Sequence, residues 1–152
     1  MRRGFLLLAA LALPVSGAAT VALSNEAGAA VTITCSSLSG TAATTVTLSG
    51  CTGGNTGGSS VPVSSAVLAL GGVVGWVSGS HTTFGKPVTT ATSAKKCPGY
   101  VKGGTSNPTA VKANSVVTAD TGDGIKVPGS AKGTICIAPS GAVSSLGPFT
   151  IK

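Results

Sequence analysis

Two carboxylates lie three residues apart in the segment VVTADTGDGIKV, Val116 to Val127, and one belongs to an Asp-Thr-Gly triplet, Asp120 to Gly122. Acid proteolysis uses such a triplet twice, because its chemistry needs two carboxylates held close enough to share one proton. This chain has one triplet. A homodimer could supply the second, but Asp120 follows Thr118 and Ala119 instead of an apolar run, and KVPGS offers no flap. The segment reads instead as a hairpin turn over Thr121 to Gly124 joining strands VVTA and IKV, with Asp123 and Gly124 supplying turn chemistry. Two carboxylates without a third acidic partner make a poor cation cage. A glycosidase needs an acid and a base flanking a sugar, and Asp120 and Asp123 stand too close in one turn for that.

Other catalytic constellations are no better supplied. His81 is the single histidine, and no serine stands in a Gly-x-Ser-x-Gly elbow, so a Ser-His-Asp triad has no marked nucleophile. His81, beside Gly79 and Ser80, reads as an exposed strand-end residue. The four cysteines, Cys35, Cys51, Cys97 and Cys136, lack the close spacing of zinc ligands, and an even count behind a secretory leader reads as two disulfides. The preferred pairing is Cys35 with Cys51, closing a hairpin, and Cys97 with Cys136, tying the middle of the chain to a late strand. Each bridge adds on the order of 2–4 kcal/mol by restricting the unfolded chain. The expectation is a protein without catalytic residues, metal or cofactor.

Two aromatic side chains could contact a ligand. Trp76 sits in VVGWV, a context that favours a packed core position over a sugar platform, and Tyr100 stands in a lysine-flanked loop. One accessible ring alone does not make a carbohydrate site.

The address comes from the first 29 residues. Arg2 and Arg3 precede the apolar run Phe5 to Val15, which is too short to span a bilayer, and small residues follow at Ser16 to Ala18 and Ala27 to Ala29. Cleavage after Ala29 is preferred over cleavage after Ala18, because it starts the mature chain next to the strand-like VTITC. This predicts a signal peptide over 1–29, one secreted domain over 30–152 and no transmembrane segment after cleavage. Eight lysines against two aspartates then leave a positive balance, which suits acidic cell-envelope polymers. No arginine remains and aromatics are few, so nucleic-acid binding is poorly supported. Nothing in the sequence sets the oligomeric state.

The elements that would position these residues are strands. VTITC and TTVTLSGC alternate apolar and hydroxyl side chains, with Gly50 expected to break the period by a bulge or a strand end so that Cys51 turns toward Cys35. TGGNTGGSSVP is a glycine-rich loop without a phosphate-binding pattern. VSSAVLAL and GVVGWVSG read as buried strands, Gly79-Ser80 as a two-residue turn, and HTTFGKPVTTATS as a strand broken near Gly85 to Pro87. TAVKANSVVTA, KGTICIA and PFTIK follow as strands. Short strands with regular turn signals indicate an all-β antiparallel sandwich or small barrel.

The combination TVTLSGCTGG, GWVSG followed by TTF, and TICIA resembles a group of small secreted, uncharacterised actinobacterial β-rich proteins. The resemblance implies an extracellular, disulfide-bonded β domain and carries no activity or site residues. The functional expectation is a secreted, non-enzymatic, cell-envelope-associated structural or interaction protein. The alternative is an extracellular module binding a glycan or small apolar molecule.

Overall fold

The computed structural model describes residues 30–152, so the leader assigned to residues 1–29 lies outside the described residues. Strands β1 (Ile33–Thr41) and β2 (Thr45–Thr52) pair antiparallel about a short turn. Their buried residues, Ile33, Cys35 and Leu38 against Val46, Leu48 and Cys51, do not follow strict alternation. Gly50 has φ +60°, but no residue is inserted at the expected bulge: Cys35 still faces Cys51 and Leu38 still faces Leu48. Both strands change phase at the same rung, which keeps the pairing and turns both cysteines inward.

Beyond β2, residues 59–61 lead into the short β3 (Val63–Ser64), and the chain then makes one helical turn, α1 (Ala66–Leu70). This corrects the strand expected over VSSAVLAL. Ala-Val-Leu-Ala-Leu has no period-two pattern, and alanine and leucine favour helix. Ser65 fixes the start: its N–H donates to Thr44 O at 2.9 Å and its hydroxyl to Ala42 O at 2.8 Å.

Strands β4 (Gly72–Gly75) and β5 (His81–Phe84) form a hairpin. Its loop is longer than the expected Gly79-Ser80 pair: Trp76 N–H donates to Ser80 O and Gly79 N–H to Trp76 O, both at 2.9 Å. Gly79, at φ +91°, closes the turn instead of opening it. Strands β5 and β6 (Val88–Thr92) both pair with the long β7 (Thr109–Thr121), Thr82 opposite Asp120 and Thr89 opposite Ala113. They are one interrupted strand, as the break near Gly85 to Pro87 predicts.

Strand β7 then pairs with β8 (Gly129–Ile137) across a loop over 122–128. The IKV strand expected there does not form, so β7's hairpin partner begins at Gly129. The chain closes with β9 (Ala142–Ser145), which was not anticipated, and β10 (Phe149–Ile151). Both lie between β1 and β8, one at each end, so they too act as a single interrupted strand.

The ends of this sheet meet through residues 59–61. Ser60 N–H donates to Leu48 O at 2.9 Å, Val61 N–H to Gly75 O at 3.0 Å, and Ser60 bridges Trp76. The architecture is therefore an antiparallel meander closed as a barrel, the second of the two expected forms. Closure satisfies edges that a sandwich would leave open. One apolar cluster fills the interior, including Ile33, Leu38, Trp76, Val117 and Ile151. A smaller one, Cys97, Ala110 and Cys136 with Ala94 and Leu146, lies on the outer wall.

The disulfides are those expected. Cys35–Cys51 links two residues directly opposed in β1 and β2, and Cys97–Cys136 ties the residue after the 3-10 turn Ala94–Lys96 to β8.

Candidate functional site

Alternation along β7 sends Val111, Ala113, Ser115 and Val117 inward, and the two ends of the barrel that these residues span differ in chemistry. At the Asp120 end the interior is closed by a buried polar network. Trp76 Nε1–H donates to Thr82 Oγ1 at 2.8 Å, and Thr82 Oγ1–H donates to Asp123 Oδ2 at 3.1 Å. Ser80 Oγ lies 2.6 Å from both Asp123 Oδ1 and Asn55 O, and 2.9 Å from Ser78 Oγ. Ser78 also donates to Asn55 O, so the glycine-rich loop is fastened to the barrel floor. Ser80, Thr82 and Asp123 are all buried. Burial pushes the Asp123 carboxyl above the ordinary carboxylate range and the nearby Asp120 charge adds to this, outweighing the lowering by the Ser80 and Thr82 hydroxyls.

Asp120 itself makes the turn. Its Oδ2 accepts the N–H groups of Gly124 at 2.9 Å and Ile125 at 3.1 Å, a side chain-to-backbone arrangement suited to leaving a strand. The roles expected within the segment are thus exchanged: Asp120 supplies the turn chemistry, and Asp123 is a buried acceptor. The two carboxylates converge on one hydroxyl, Thr82 Oγ1 lying 3.4 Å from Asp120 Oδ1 and 3.1 Å from Asp123 Oδ2. Ser80 meets Asp123 with no imidazole between them, because His81 alternates to the exposed face. His81 stands at the start of β5, as expected of a strand-end residue.

Trp76 is 2% exposed, so its indole faces are covered and cannot serve as a sugar platform. Tyr100 is half-buried in the loop after Cys97, its N–H donating to Cys97 O at 3.2 Å. The two rings are not brought together: Trp76 belongs to the interior cluster and Tyr100 does not.

The opposite end is open and apolar. A cavity of about 420 Å³ is lined by Ala42, Leu68, Ala69, Pro87, Val111, Ile135, Ile137 and Val143, with Ser65, Lys86 and Thr89 as its polar residues. Below it lies a smaller chamber of about 50 Å³ lined by Leu48, Val74, Phe84, Ala113, Ala131 and Phe149, among others; Leu68, Pro87 and Ile135 border both spaces. Ser115, the chamber's single polar residue, donates its hydroxyl to Gly85 O at 2.5 Å, which leaves the wall functionally apolar.

Helix α1 lies across this end, strapped by Ser65 to the β1–β2 turn and by Gly71 to the β5–β6 break. A Cβ on Gly71 would lie 2.6 Å from the Gly85 carbonyl carbon, and the residue's φ is +82°, so glycine is required for this approach. None of the α1 residues is fully buried. The sequence reading did not find this opening. Its residues are common apolar types, and only the broken β5–β6 strand hinted that the wall is interrupted there.

On the outer wall, Lys112, Asn114, Lys132, Thr134 and Thr150 line a separate groove of about 410 Å³. Among the described residues, no group of three or more His, Cys, Asp or Glu side chains is placed to hold a metal ion, and no helix is long and apolar enough to cross a membrane. No protein-family model, curated protein or solved structure matches the chain.

Proposed function

We propose that this protein is a non-enzymatic binding barrel for a small apolar molecule, acting outside the cytoplasm. The observation that carries the reading is the apolar mouth of about 420 Å³ at one barrel end, above an inner chamber with which it shares the lining residues Leu68, Pro87 and Ile135. Its volume falls within the range of small-molecule pockets, and barrel mouths are a recurrent place for them. The leader-like residues 1–29 and the two disulfides support a non-reducing, extracellular or envelope setting.

The test is a titration with a neutral apolar fluorophore such as N-phenyl-1-naphthylamine. Saturable one-to-one binding is expected, with strong weakening in Val111→Arg, a change at the partly exposed rim that leaves the deep core intact. Unsaturable uptake, or equal binding by the variant, contradicts the reading.

A second reading rests on the outer groove. Lys112 and Lys132 flank it without an acidic side chain in its lining, an arrangement that favours an acidic cell-envelope polymer. Its signature would be salt-released association with isolated envelopes, lost in a Lys112→Gln, Lys132→Gln variant.

A further inference from the structure

The mouth carries one charge, and its position bears on what kind of apolar molecule is held. Lys86 is the single ionisable residue of the lining, exposed at the rim, with Ser65 and Thr89 as its polar company. It sits in the break between β5 and β6, where the backbone is pinned on one side by Gly85 N–H donating to Val116 O at 2.8 Å and by Ser115 Oγ donating to Gly85 O at 2.5 Å. Pro87 fixes the other side. The stem of Lys86 therefore leaves the rim from a defined point while its ammonium stays in water.

Among the described residues, no side-chain carboxylate is placed to pair with that ammonium. Asp120 and Asp123, the aspartates of the described residues, lie at the far end of the barrel. Asp120 stands opposite Thr82, four residues before Lys86 in the chain, which is roughly 13 Å of extended strand and beyond ion-pair reach. A lone cation on an apolar mouth matches a molecule with a hydrocarbon chain and one anionic end.

Resting on the proposal that the mouth binds an apolar molecule, we propose that its ligand is a medium- or long-chain carboxylate, the hydrocarbon entering past Leu68 and Ile135 and the carboxylate pairing with Lys86. An ion pair at an exposed rim strengthens binding by roughly two- to fivefold, and salt screens it.

The experiment compares decanoate with decan-1-ol, below their aggregation concentrations at neutral pH, by calorimetric titration of the wild-type protein, Lys86→Gln and the outer-wall variant Lys132→Gln. Wild type and Lys132→Gln should bind decanoate several-fold more tightly than the alcohol at low salt. That preference should disappear in Lys86→Gln and at high salt, with alcohol binding unchanged. Equal affinity for the two ligands in the wild type, or a preference that survives Lys86→Gln, overturns the role of Lys86 and leaves the apolar mouth standing. Failure of both ligands to bind overturns the carboxylate proposal together with the reading beneath it.

Discussion

The indole N–H of Trp76 donates to the hydroxyl of Thr82 at 2.8 Å, and the same hydroxyl donates to Asp123 Oδ2 at 3.1 Å, so one threonine satisfies two buried groups. These bonds lock the β4–β5 hairpin to the loop after β7. They close one end of the barrel and leave the other as the opening.

Replacing that hydroxyl by a methyl group should therefore be costly. Thr82→Val keeps the shape and β preference of the side chain, but leaves the Trp76 N–H without its acceptor and removes one of the two hydroxyl donors to Asp123. A loss of about 1–3 kcal/mol in unfolding free energy is expected. Denaturant unfolding followed by the fluorescence of Trp76, the sole tryptophan, checks it. An unchanged midpoint would mean that the network contributes nothing to stability.

Asp123 should make stability depend on pH in the unusual direction for an aspartate. Ser80 Oγ contacts Asn55 O, Ser78 Oγ and Asp123 Oδ1, and Ser78 also reaches Asn55 O. Two hydroxyl protons cannot fill all these contacts, and a protonated Asp123 would supply another. Burial raises its pKa above the ordinary 3.8, so the folded chain holds this proton more tightly than the unfolded chain does. The stabilisation is complete below that ordinary value and is lost as pH rises through the raised one. Asp123→Asn cannot ionise. Its stability relative to wild type should improve as pH is raised from acid to neutral, measured by urea unfolding at successive pH values; a pH-independent difference would exclude the linkage.

Gly71 holds α1 against the broken strand. In Gly71→Ala the new Cβ meets the Gly85 carbonyl, and the backbone at φ +82° and ψ 174° is strained for alanine. The expected cost is about 1–3 kcal/mol, with weakened binding of an apolar probe because α1 shifts over the mouth. Thermal unfolding and probe titration measure the two effects. Retained stability and affinity would show that α1 does not shape the opening.

The legible parts of this fold are those whose signal is local. Alternation in VTITC and TVTLSGC marks β1 and β2, and the Gly85 to Pro87 break marks the interrupted β5–β6 strand. The disulfide pairing follows from placing Cys35 and Cys51 on neighbouring strands. Closure was not legible, because it depends on Ser59 to Val61 bonding to both Leu48 and Gly75 from within a segment that reads as loop. The short apolar run of α1 lacks a period that separates helix from strand. Asp123 looked like a turn residue because Ser80 and Thr82, its partners, stand 43 and 41 positions away. The mouth is hidden for a similar reason: Leu68, Val111, Ile135 and Val143 are ordinary apolar residues until the barrel gathers them at one end.

The most direct test of the apolar mouth is an NMR titration of isotopically labelled protein with decan-1-ol, reading the methyl groups of each residue. The structure predicts saturable shifts concentrated at Leu68, Val111, Ile135, Ile137 and Val143, with Ile33 and the Asp123 end unaffected. Shifts confined to the outer wall, or none that saturate, would contradict a binding site inside the barrel.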